Sequence, residues 1–156
     1  MSLWEETTPP ETASSEKSFS ERFEEERTQW TKTIQEISGR FKIVENLAEV
    51  QIDLYSKRQI AIEYQYKLIG IHTKLKRKLV QDWKNAYDNA GRDEDIRFSE
   101  KEKTKTAEVA TLEIKYRTES VSNQIEFFRE TVKTIDNMIF GVKHRIEIEN
   151  FKAGMK

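Results

Sequence analysis

VSNQIEFFRETVKTIDNMIFGVKHRI, residues 121–146, decides the fold. Val121, Ile125, Phe128, Val132, Ile135, Ile139, Val142 and Ile146 follow one another at alternating spacings of four and three, without a break. On an α-helix that spacing gathers the apolar side chains into one seam, and sustained over this length it is the period of coiled-coil packing. Upstream, the same register meets Thr118, Ile114, Thr111 and Ala107, so the seam weakens there. Phe127, Met138, Phe140 and Ile148 lie off the seam. One partner helix is too narrow to cover them as well, so a further helix of this chain or of another subunit is expected to do so.

Working back from this seam, Ser99-Glu-Lys-Glu102 has the form of a capping box and is expected to open one long helix from 99 to about Phe151. Before it, RDEDIRF (92–98) reads as a short polar connection. A second helix is expected over about 44–88, because Leu47, Leu54, Ala61, Leu68 and Leu75 recur every seven residues. Asp88-Asn-Ala-Gly91 should stop it, with Gly91 or Asn89 in the left-handed conformation. A third segment, about 18–40, starts with another capping box at Ser18–Glu21. It keeps Phe23, Trp30, Ile34, Ile37, Phe41 and Val44 on one face, and Ser38-Gly39 is placed to kink or end it. Residues 1–17, rich in Thr, Pro, Ser and Glu, read as a disordered acidic tail. The expected architecture is all-α. It is a single helical domain over 18–156, built on a long helical hairpin with an additional N-terminal helix, packed like a coiled coil and oligomerising through the C-terminal helix.

Composition agrees with long helices. The 156 residues include five Gly and only two Pro, both within the first ten positions, and 35% are charged. The absence of Cys excludes disulfides, thiol catalysis and Cys-based zinc fingers, and fits a reducing cytoplasm. No apolar run is long enough for a membrane span, and MSLWEETTPP lacks the order of a secretory signal. The net charge is −1, but residues 1–36 carry nine acidic and four basic side chains, which leaves the remainder basic.

That excess concentrates in HTKLKRKLVQDWKNAYDNAGR, residues 72–92. On a helix, Lys67, Lys74, Arg77, Lys78 and Lys84 share one face beside the leucine stripe. Lys76 points toward the side of Trp83. Such a face suits a phosphate backbone. Trp83 and Tyr87, one turn apart, could stack on bases. The plainer alternative is a solvated face with two aromatics packed at the helix end. His72 and His144 have no acidic neighbours at ligand spacing, Asp93-Glu-Asp95 reads as loop solvation, and no phosphate loop or nucleophile elbow occurs. No metal, cofactor, small-molecule substrate or catalysis is expected.

Three pieces in order carry a resemblance: LYSK (54–57), WKNAYDNAGR (83–92) and VKHRIEIENFKAG (142–154). Together they resemble the recombination mediators of T4-type phages, the UvsY family, over roughly residues 50–154. That family similarly has a basic helix, an aromatic turn closed by a basic residue, and a last helix ending in a Phe-x-Ala-Gly-like tail. The acidic N-terminal extension, with Trp4 and Trp30, departs from the family's shorter beginning. The resemblance implies a non-enzymatic, single-stranded DNA-binding homo-oligomer, a hexameric or heptameric ring. It would act in the cytoplasm, of the host if phage-encoded, and help a RecA-like recombinase displace single-strand DNA-binding protein. Carried over by position, Lys74, Lys76, Arg77 and Lys78 would contact DNA; the reading of the basic stretch itself adds Lys67, Trp83, Lys84, Tyr87 and Arg92 as candidate DNA-binding residues. The seam from Val121 to Ile146 would join subunits. A structural coiled-coil adaptor, its lysines facing anionic membrane, is the alternative of a different class.

Overall fold

A computed structural model describes residues 18–92 and 97–154. These form four α-helices and one 3-10 turn, with no strand among the described residues: α1 (Phe19–Arg40), the turn Val44–Asn46, α2 (Leu47–Ala90), α3 (Glu100–Ala110) and α4 (Leu112–Gly154). None of these helices is long and apolar enough to cross a membrane. The expected disordered tail and most of the acidic connection lie outside the described residues.

Both capping boxes form. The Ser18 hydroxyl accepts from the Glu21 amide at 3.2 Å, while the Ser18 amide donates to the Glu21 carboxylate at 3.2 Å. Ser99 and Glu102 repeat the exchange at 3.3 and 2.9 Å. Each pair satisfies first-turn donors that would otherwise lack partners, which fixes where α1 and α3 begin.

α2 and α4 are the long arms. At about 1.5 Å per residue, each extends roughly 65 Å. They pack antiparallel, and α1 lies along them. One buried cluster joins Ile37, Leu47, Val50, Leu54, Ile135, Ile139 and Val142. The next joins Phe23, Ala61, Leu68, Val121, Ile125 and Phe128. Low residue numbers of α2 therefore meet high numbers of α4. α1 runs in the same direction as α4, with Phe23 toward the loop end of the hairpin and Ile37 toward the other end. The Arg40–Asp53 ion pair at 2.8 Å and a hydrogen bond from Arg145 to the Phe41 carbonyl pin the end of α1 to both arms.

The seam that decides the fold is filled within one chain. Val121, Phe128, Ile135 and Val142 are fully buried, Ile125 and Ile139 nearly so, and Val132 and Ile146 are half-buried against the same clusters. These eight residues pack against α2 and α1 of the same chain. α1 also covers part of the off-seam material: Phe127 and Met138 pack against the clusters. Phe140 remains 74% exposed and Ile148 42%.

Three expectations need correction. The helix expected from 99 is interrupted at Thr111, whose φ/ψ of −107°/7° separates α3 from α4. The Thr111 hydroxyl donates to the Ala107 carbonyl at 2.8 Å, a bond that Thr118 and Thr131 also make to the residue four before them without a break, so the interruption lies in the backbone at Thr111. Val44 lies in the 3-10 turn and is 39% exposed, so it leaves the face it was expected to share. Neither Gly91 nor Asn89 is left-handed, since no described residue has positive φ. α2 instead closes by tightening, with Gly91 N–H to Asp88 O at 3.2 Å and Arg92 N–H to Asn89 O at 3.1 Å. A side chain at this position would crowd only the flexible end of Lys103. A Cβ at Gly91 would sit 3.0 Å from Lys103 Nζ.

Candidate nucleic-acid interface

The loop-end half of α2 buries Leu68 and half-buries Leu75 and Leu79, so the opposite side of the helix must face water. That side carries the cations. Lys67, Lys74, Lys76, Arg77, Lys78, Lys84 and Arg92 are all exposed. From Lys67 to Lys84 the face is about 26 Å long. Lys78 has its own counterion, Asp82, with Nζ to carboxylate at 2.7 Å. Among the described residues, Lys67, Lys74, Arg77 and Lys84 have no carboxylate within ion-pair distance. Four fixed positive charges therefore face solvent on a helix held rigid by its other side. Lys76 stands apart from them, as its helical phase requires.

The aromatics are arranged differently from two open platforms. Trp83 and Tyr87 stack on each other, with centroids 5.3 Å apart and planes 15° from parallel. Lys103 of α3 lies over the Tyr87 ring, 5.8 Å from its centroid. One ring face of each aromatic is thus occupied, and Tyr87 is further covered by a cation. Trp83 is half-buried and lines an open hollow of about 510 Å³ with Leu79, Val80, Glu108, Thr111, Leu112 and Lys115. The break between α3 and α4 at Thr111 lies on the wall of this hollow. Val80 and Leu112 leave its rim apolar, at 69% and 44% exposure.

Two features escaped the sequence reading. α2 carries a second stripe at spacings of three and four: Ile52, Tyr55, Ile62, Tyr66, Ile69 and Val80, interrupted by polar Gln59, Thr73 and Lys76. Ile52, Tyr66 and Val80 are each about 70% exposed, at 71%, 69% and 69%. Counting the heptad through its polar positions would have found it. The other feature is a polar knot beneath α1. Gln124 is completely buried, accepts from Arg27 at 2.7 Å and donates to the Phe23 carbonyl at 3.3 Å. Beside it the Tyr64 hydroxyl donates to Glu26 at 2.8 Å. Burial raises the Glu26 carboxyl above its ordinary value of 4.5, against the lowering effect of Tyr64, Gln124 and Arg27. Burial first, and then the Glu26 carboxylate, raise the Tyr64 hydroxyl.

Among the described residues no group of His, Asp and Glu is placed to hold a metal ion. His144 stacks on Phe140 and has Glu147 at 3.9 Å, on the outside of α4.

The fold and this face define an all-α protein with an antiparallel two-helix arm, braced by a third helix and cationic along one outer side. Comparison with protein families, with curated proteins and with solved structures finds no match to this chain.

Proposed function

We propose that this protein is a non-enzymatic single-stranded DNA-binding protein that acts as a recombination mediator. In this reading it works as a homo-oligomer and helps a RecA-like recombinase load onto DNA coated by single-strand DNA-binding protein. The observation that carries the DNA-binding part is the row of exposed cations on α2: Lys67, Lys74, Arg77 and Lys84, with Lys78 between them. A rigid row of point charges without base-reading geometry suits a phosphate backbone of any sequence, with affinity arising from counterion release. Trp83 lies on another side of α2 from this row, with Lys76, where it offers an aromatic edge for a base. The mediator role and the partner proteins rest on the resemblance to the UvsY family.

The seam is consumed inside the chain, so subunit contacts in this reading belong to the outer apolar residues. These are Phe140, Ile148 and Phe151 on α4 and the second stripe on α2. The test is binding to a short oligothymidylate and to anionic vesicles at matched salt. Binding to the oligonucleotide that is lost on changing Lys74, Arg77 and Lys78 to Ala supports the proposal. Binding to vesicles alone would replace it with the membrane-facing scaffold.

A further inference from the structure

α1 starts beside the cationic face. Phe19 packs on the cluster that also receives Ile71 and Leu75, the residues flanking Lys74 on α2. On α4 the same level is marked by a small hollow lined by Ser20, Phe23, Arg27, Ser120 and Asn123. Since α1 runs parallel to α4, its first residues, Ser18 and Phe19, lie in the loop-end half of the hairpin, along which Lys74, Arg77, Lys78 and Lys84 are displayed. The preceding segment, MSLWEETTPPETASSEK, holds Glu5, Glu6, Glu11 and Glu16 against one cation, Lys17. At roughly 3.3 Å per residue its 17 residues reach up to about 56 Å, twice the length of the face.

We infer that residues 1–17 are a built-in polyanion that lies along the α2 face in the absence of DNA, so that its glutamates occupy the cations a phosphate backbone would otherwise meet. The idea rests on the reading of that face as a DNA surface. Nothing about the contact requires fixed structure in the tail. A tethered segment has an effective concentration near its site in the millimolar range, so even a weak ionic contact is well populated. Among the described residues, Lys67, Lys74, Arg77 and Lys84 have no carboxylate partner. Asp82 and Asp88, the acidic side chains of this part of α2, oppose the tail, and Asp82 already holds Lys78. Contact of this kind weakens strongly with salt. The tail would set a threshold: long single strands displace it, while short or weakly held anions do not.

The chain contains no Cys, so introduced thiols can be labelled uniquely. In the full chain, Glu5, Glu6, Glu11 and Glu16 are changed to Gln, and oligothymidylate affinity is measured across a salt series. The substituted tail should bind about 3- to 10-fold more tightly at low salt, and the gain should vanish at high salt. In parallel, nitroxides on Thr7→Cys and Gln81→Cys are examined by double electron–electron resonance, diluted in excess unlabelled chain so that only distances within one chain count. A short-distance population should be present at low salt, and should disappear with oligonucleotide or with the Gln tail. Equal affinities without a short-distance population overturn the inference and leave DNA binding intact. Tighter binding without that population also overturns it, since general repulsion would then suffice. A short-distance population abolished by the Gln tail, in a protein that binds no oligonucleotide, would sink the DNA reading but uphold the tail contact.

Discussion

Gln124 shows how a polar side chain can be structural at the centre of this fold. It is wholly buried between α1 and α4 and bonded in two directions, to Arg27 and to the Phe23 carbonyl. Gln124→Ala would remove both bonds and open a cavity, costing about 2–3 kcal/mol. Urea unfolding followed by circular dichroism measures this, and a cost under about 0.5 kcal/mol, the range of ordinary surface changes, would mean that Arg27 simply turns to water. Glu26, in the same knot, gives a prediction in pH. Its carboxyl titrates higher in the folded chain than the ordinary 4.5 because burial disfavours the charge. The folded state therefore holds that proton more tightly, and this contribution to stability is full at low pH and is lost as pH rises through the folded value. Glu26→Gln keeps an acceptor for Tyr64 and carries no charge. Relative to wild type it should be nearly neutral below pH 4.5 and increasingly stabilising toward pH 7. A stability difference that stays flat between those limits would show that Glu26 is fully solvated. Sequence reading passed over both residues, because Gln and Glu beside a seam look like solvated flank. Only the position of α1 reveals that they are covered.

At the scale of elements, Ile135 separates core from surface. It is completely buried in the cluster that joins the far ends of all three long helices. Ile135→Asp places an unpaired carboxylate there and should cost roughly 4 kcal/mol or more, unfolding the chain itself. Phe140→Ser, at 74% exposure, should change stability by no more than about 0.5 kcal/mol yet weaken self-association if the outer face of α4 joins subunits. Far-ultraviolet circular dichroism with light scattering distinguishes the two. An Ile135→Asp chain that stays helical and merely dissociates would return the seam to the subunit interface. The helices and their starts were legible because they depend on local rules: heptad spacing, and Ser with Glu three residues on. Whether the seam meets helices of its own chain or of another was not legible, because spacing describes one surface and not its partner. The break at Thr111 was hidden for a related reason. Threonine fits the register, and only its φ/ψ of −107°/7° shows the helix interrupted there.

Among the described residues, the packing of the molecule leaves four cations of one face without a counterion, and the charge count on that face gives the sharpest prediction. Lys67, Lys74, Arg77 and Lys84 meet solvent without a carboxylate partner among the described residues, whereas Lys78 is already held by Asp82 at 2.7 Å. Each phosphate contact to single-stranded DNA contributes roughly −0.7 to the slope of log affinity against log salt, so four free cations predict about −2.8 per engaged subunit. Changing Lys74, Arg77 and Lys78 together should flatten it by about 1.4 rather than by three full contacts, because Lys78 releases its bond to Asp82 as it gains a phosphate. Trp83→Ala acts differently. One face of its ring is taken by Tyr87, so the loss should sit near the lower end of the usual range, about 1 kcal/mol, with the slope nearly unchanged. Asp82→Ala is the decisive variant. It removes the counterion that Lys78 has among the described residues and a repulsive charge from the face, so it should tighten binding and steepen the slope by about 0.7. Fluorescence anisotropy of a labelled oligothymidylate across a salt series reads all four effects. An Asp82→Ala protein with wild-type affinity and slope would mean that Lys78 does not meet the DNA, and that the strand, if it binds, follows another path across the molecule.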